Sequence, residues 1–166
     1  MKGLSKKEVE IIAHLEFEQT YFFTRETIKQ FFETPQHISD FIFGLRTKGR
    51  VIKINREKYY LIPIKSRSGG WSEHPFILAD EICDGKDYVI GGWAAAKYWK
   101  LTEQIPAQID VYTTKRQGTY NIMNMRFVFH RTTVRKIRSG VKKAIEQHPF
   151  AIISKDEAKQ WYRQRK

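Results

Sequence analysis

Between residues 34 and 49 the chain reads TPQHISDFIFGLRTKG, and a short capped helix accounts for every punctuation mark in it. Thr34 supplies a side-chain oxygen for the first unpaired amides, and Pro35 suits the first helical position, where an N–H has no partner to lose. Gly49 stands where the chain leaves the helix through a left-handed residue. Ile38, Phe41, Ile42 and Leu45 recur at i, i+3, i+4 and i+7, which makes one apolar stripe that must be covered by something else. The flanking sequence supplies the cover. Upstream, Ser5 and Glu8 form a capping box ahead of Val9, Ile12, Ala13 and Phe17, predicting a first helix over residues 6–17. Thr24 can cap a second helix that carries Ile28, Phe31 and Phe32 and stops near Glu33. Downstream, VIKI and KYYLI are β-branched or aromatic runs around Asn55, Arg56 and Glu57, the pattern of a hairpin, and Pro63 ends it.

Three short helices followed by a hairpin is the order of a winged helix-turn-helix, in which the second and third helices are the DNA-reading pair. With the apolar stripe turned inward, the outer face of the third helix carries Gln36, His37, Ser39, Asp40, Phe43 and Thr47. Gln36, His37, Ser39 and Asp40 are short polar groups of the kind that hydrogen-bond base edges in a major groove. Arg46, Lys48 and Arg50 at the helix end, with Lys53, Arg56 and Lys58 on the wing, are placed for phosphates. Charge segregates accordingly: residues 1–45 hold five Lys and Arg against seven Asp and Glu, whereas residues 46–58 hold six against Glu57 alone. A merely solvated surface would mix the signs.

The whole chain of 166 residues has a formal net charge of +12, which favours a polyanionic partner. The start, MKGLSKKEVEIIAHLEF, has no uninterrupted apolar core, so it is read as neither a signal peptide nor a membrane span, and the expected location is the cytoplasm with no membrane partner. Cys83 is the single cysteine, which excludes an internal disulfide and is expected to be a small buried apolar residue.

Residues 64–74, IKSRSGGWSEH, have the Ser and Gly density of a linker between a winged-helix domain over 1–63 and a second domain over 75–166. The second domain reads as a helix from Pro75 to Cys83, a turn at DGKD, a buried strand YVI and the pair Gly91 and Gly92. A helix WAAAKYWKL, strands in QIPAQIDVYTT and RFVFHRTT separated by a loop around KRQGTY, a strand FAIIS and a final helix follow. The expected fold class is therefore α+β, an N-terminal winged helix-turn-helix followed by a small mixed α/β domain. Ala94, Ala95 and Ala96 predict a helix packed closely against the sheet. From Arg126 to Lys143 there are seven Lys and Arg and no acid, so Arg131, Arg135, Lys136, Arg138, Lys142 and Lys143 offer a second surface for nucleic acid.

Signatures of catalysis are missing. Gly91 and Gly92 lie between a strand and a helix, but no GxGxxG or Gly-Lys-Ser/Thr pattern surrounds them, and a tight turn explains them. The five histidines form no i, i+3 or i+4 pair, so a metal site would need remote positions, and none is expected. Asp80, Asp84 and Asp110 read as surface and turn carboxylates, with Asp110 and Lys115 only a faint echo of a nuclease. The expectation is no enzyme and no cofactor. The competing classes are a small nuclease, which would nick plasmid in a metal-dependent way, and a winged-helix protein-interaction adaptor, which would bind no DNA even at low salt.

The winged helix, then YVIGGWAAAKYWKLTEQIPAQIDVYTTKRQ and RFVFHRTT, resembles the AbiEi family of type IV antitoxins over nearly the whole chain. The resemblance is carried by the Ala-containing helix, a loop proline like Pro106, a strand ending like Thr113 to Arg116, and the Phe-x-Phe-His-Arg pattern of Phe127 to Arg131. It implies a transcriptional repressor that binds inverted repeats in its own promoter and opposes a nucleotidyltransferase toxin encoded beside it. Such antitoxins usually continue past the segment resembling FAIISKDEAKQWY into further helices, whereas this sequence ends at Lys166.

Overall fold

A computed structural model describes residues 3–66 and 73–165, which fall in two compact units, Met1–Trp71 and Ser72–Lys166. Residues 67–72, most of the expected linker, lie outside the described residues.

In the first unit, α1 (Lys6–Phe17) is followed by β1 (Phe22–Thr24), α2 (Arg25–Ile28), a 3₁₀ turn (Lys29–Phe31), α3 (Pro35–Thr47), β2 (Val51–Lys53) and β3 (Lys58–Leu61). The caps act as the sequence predicts: Ser5 and Glu8 exchange side-chain and backbone hydrogen bonds, the Thr34 side chain accepts from the His37 amide, and Gly49 takes φ +69°. The strands form one antiparallel sheet in the order β1-β3-β2, with Phe23 opposite Tyr59 and Ile52 opposite Tyr60. Ile38, Phe41, Ile42 and Leu45 are all buried and meet Ile11, Ile12 and Leu15 of α1, Phe23, Ile28, Val51, Tyr59 and Leu61 in one core. This is the winged helix-turn-helix, with β2 and β3 as the wing.

Two local expectations need correction. The buried face of α1 is Glu8, Ile11, Ile12 and Leu15; Val9 is 45% and Phe17 83% exposed, so the stripe lies beside the one predicted. The second helix does not run to Glu33. It tightens into the 3₁₀ turn after Ile28, and Phe31 and Phe32 pack, partly buried, against the core.

The second unit contains α4 (Pro75–Ile82), β4 (Tyr88–Gly91), α5 (Gly92–Tyr98), β5 (Ile109–Thr113), β6 (Gly118–Ile122), β7 (Met125–Arg131), α6 (Val134–Arg138), β8 (Val141–Ile145), β9 (His148–Ile152) and α7 (Lys155–Arg163). Its six strands form a mixed sheet in the order β6-β7-β5-β4-β9-β8. The β4–β9 and β5–β7 pairs are parallel and the others antiparallel. Every residue of β4 is buried, as a central strand covered on both faces requires, with α4 packed on β9 and α5 on β5 and α7. Ala94, Ala95 and Ala96 are buried at that contact. Gly91 passes under the Tyr112 ring and Gly92, at φ +60°, presses on the Asp110 carboxylate; a Cβ at either position would collide. The expected loop around KRQGTY instead contains β6, and the basic stretch after Arg131 breaks into α6 and β8.

Candidate nucleic-acid interface

An α-helix places residues at about 100° intervals, so the strip of α3 opposite its buried stripe consists of Gln36, Asp40, Phe43 and Thr47, all exposed. Gln36 Nε2 donates to Asp40 Oδ1 at 2.9 Å, one turn along, which holds both side chains on that strip. Ser39 lies on the flank facing α2, where its hydroxyl donates to the Pro35 carbonyl at 3.2 Å and accepts from the Arg25 guanidinium at 2.8 Å. His37 is exposed on the other flank, the side on which Gly44 approaches Glu8 of α1.

The six expected phosphate ligands differ in exposure. Arg46, Lys53 and Arg56 are exposed and Lys58 half-buried. The wing turn that carries Arg56 is closed by Asn55, whose Oδ1 accepts from the amides of Glu57 and Lys58 at 3.0 and 2.9 Å. Lys48 and Arg50 are engaged inside the unit. Lys48 Nζ sits 2.6 Å from Glu8 Oε2, joining the end of α3 to the start of α1, and the Arg50 guanidinium donates to the Ile62 carbonyl at 2.9 Å. Burial alone would raise the Glu8 pKa, but the Lys48 ammonium and the Ser5 amide outweigh it and hold the carboxyl below its usual range. Arg25 was not foreseen as part of this surface. The one sequence signal for it is a cation at the first position of the second helix.

In the second unit, four of the six candidate cations have partners nearby. Lys136 pairs with Glu157 at 3.3 Å and lies over the Tyr112 ring, Lys143 lies 5.5 Å from the Trp99 ring, Lys142 reaches the Gly85 carbonyl at 3.5 Å, and Arg131 reaches the Thr114 carbonyl at 3.4 Å. Arg135 and Arg138, one turn apart on α6, are exposed and form no ion pair among the described residues.

Asp80 and Asp110 are not surface carboxylates, contrary to the sequence reading; both are buried. Asp80 accepts from the Tyr88 hydroxyl at 2.7 Å and lies 2.9 Å from His148 Nε2, while Tyr88 in turn accepts from the Ala151 amide at 2.9 Å. Burial, then the bond to Asp80, pushes the Tyr88 pKa up, so the phenol stays protonated and donating. Asp110 takes hydrogen bonds from Gln108 at 3.0 Å and meets His130 Nε2 at 2.7 Å, with the His130 ring stacked on Tyr112; Lys115 is not among its hydrogen-bond or ion-pair partners. These networks tie strands and helices together around groups that could not be buried alone. Asp80, Glu81 and His148 are the one group of three metal-ligating side chains that gathers among the described residues; one Asp80 oxygen meets His148 of the group and the other accepts from Tyr88 outside it. Cys83 is half-buried rather than fully buried, and burial raises its thiol pKa to about 12, which removes it as a nucleophile. No helix among the described residues is long and apolar enough to cross a membrane.

No protein-family model matches the chain, and no curated protein matches it.

Proposed function

We propose that this protein is a sequence-specific, double-stranded-DNA-binding transcriptional repressor of the cytoplasm that reads its operator with α3. The observation that carries this reading is the distribution of groups on the winged helix. An exposed strip of Gln36, Asp40, Phe43 and Thr47 projects from α3, with Arg25 and Arg46 beside it and Lys53 and Arg56 on the wing. The acids of the unit, apart from Asp40 and Glu57, lie outside residues 34–58. A helix with that face fits a major groove, and cations at its edges meet the phosphates on either side.

The resemblance to AbiEi antitoxins supports a narrower version, autoregulation of a type IV toxin–antitoxin operon at inverted repeats and opposition to a nucleotidyltransferase toxin. An inverted repeat is read by two copies related by a two-fold axis, each on one half-site. In this reading no step of catalysis is involved and no cofactor is required. Arg135 and Arg138 on α6 add a second cationic surface for the same polyanion. Selection of bound sequences from a random duplex pool, followed by footprinting on the DNA upstream of the coding sequence, tests the proposal. Enrichment of one motif that recurs in inverted orientation upstream supports it; a pool that stays random refutes it.

A further inference from the structure

We infer that Phe43 is a specificity-determining residue of the α3 face and that its ring recognises the C5-methyl group of thymine in the major groove; the inference rests on the DNA-reading role proposed above. Phe43 is 71% exposed, although α3 already has a complete inward stripe in Ile38, Phe41, Ile42 and Leu45. It belongs neither to the core cluster nor to any aromatic pair among the described residues. Its position is what gives the exposure meaning. It stands on the outermost strip, one turn after Asp40 and one turn before Thr47, whose hydroxyl is turned back onto the Phe43 carbonyl at 2.9 Å. Polar side chains on this strip can find donors and acceptors on any base pair, but a phenyl ring cannot. Among the groups that unmodified DNA displays in the major groove, the thymine methyl is the apolar one, so a ring at this position has one class of partner there. Seven residues separate Phe43 from Gln36, a rise of about 10 Å along the helix, which spans about three base-pair steps of a duplex.

The test uses the full chain, the duplex enriched by selection, and copies of it in which each thymine in turn is replaced by deoxyuridine, which removes only the methyl. For the wild-type protein, one thymine position per half-site is expected to lose about fourfold in affinity on replacement, the value of one buried methyl-sized group. Phe43→Ala should bind the thymine and uracil duplexes equally, and Phe43→Leu should keep part of the difference. Restoring a methyl as 5-methylcytosine at unrelated positions should give no gain. Wild-type indifference to uracil at every position overturns the inference while leaving DNA reading intact, as does a Phe43→Ala protein that discriminates as the wild type does. If no duplex is enriched, both the inference and the proposed function fall together.

Discussion

Changing Lys48 to Met separates the cations that hold the winged helix together from those that would hold DNA. The Lys48 and Glu8 side chains are 17% and 10% exposed, and their 2.6 Å contact links the two helices of the unit that are farthest apart in sequence. An exposed pair of this kind contributes up to about 1 kcal/mol. Breaking a fully buried one costs about 3–5 kcal/mol, because the remaining charge is left without its partner. Glu8 keeps the Ser5 amide and the positive end of α1, so the loss for Lys48→Met should be about 2 kcal/mol, between those limits. The readouts are amide hydrogen exchange in α1 and denaturant unfolding followed by circular dichroism. A pH series adds a sign. The folded pKa of Glu8 lies below its ordinary value of 4.5, so the stability it contributes is fully present above 4.5 and disappears as pH falls through the lower folded value. Lys48→Met should therefore be less sensitive to acid in that window than the wild type. Its salt dependence of DNA binding should be unchanged, whereas Arg56→Gln should lose about 0.9 of log–log slope. If Lys48→Met retains full stability and loses as much slope as Arg56→Gln, the assignment of Lys48 to the interior is refuted.

Gln36→Ala and His37→Ala should each lose about 1–3 kcal/mol at a cognate duplex with non-specific binding almost intact, measured by parallel titrations; equal losses on both duplexes would show that α3 does not read sequence. The double change Arg135→Gln and Arg138→Gln should reduce the salt slope by about two without altering sequence preference, and an unchanged slope would remove α6 from the DNA surface. Tyr88→Phe leaves the Ala151 amide and one Asp80 oxygen without a partner in a buried site, so unfolding of the second unit, followed by tryptophan fluorescence, should become easier by about 1–3 kcal/mol; wild-type stability would refute the network's structural role.

The parts of this fold that could be read in the sequence are those fixed by neighbours along the chain. Thr34, Pro35 and Gly49 bound α3 locally, and a four-residue apolar stripe at 3.6-residue spacing has only one face to bury. β1 was invisible because Phe22–Thr24 is three residues long and becomes a strand only by pairing with Lys58–Tyr60. β6 and β8 were invisible for a related reason: as the edges of the second sheet they are mostly exposed, so GTYNI and VKKAI lack a buried alternation to announce them. The candidate site was legible as a set of residue types but not as a set of free groups. Nothing in the sequence says that Glu8, forty residues away, takes the Lys48 ammonium, or that Arg25 leans on Ser39. Asp80 and Asp110 looked like ordinary carboxylates for the same reason, since His148 and His130 reach them only in the folded sheet.

The salt dependence of binding, compared on an enriched duplex and a scrambled one of the same length, tests the central claim most directly. With Arg25, Arg46, Lys53 and Arg56 on phosphates and Lys48 and Arg50 engaged inside the unit, the winged helix contributes about four contacts and a log–log slope near −3.6, to which α6 adds about −2 where it also meets the backbone. A slope of that size is expected on both duplexes, with an affinity gap between them that Gln36→Ala narrows. A slope near zero, or equal affinity for the enriched and scrambled duplexes, would contradict it.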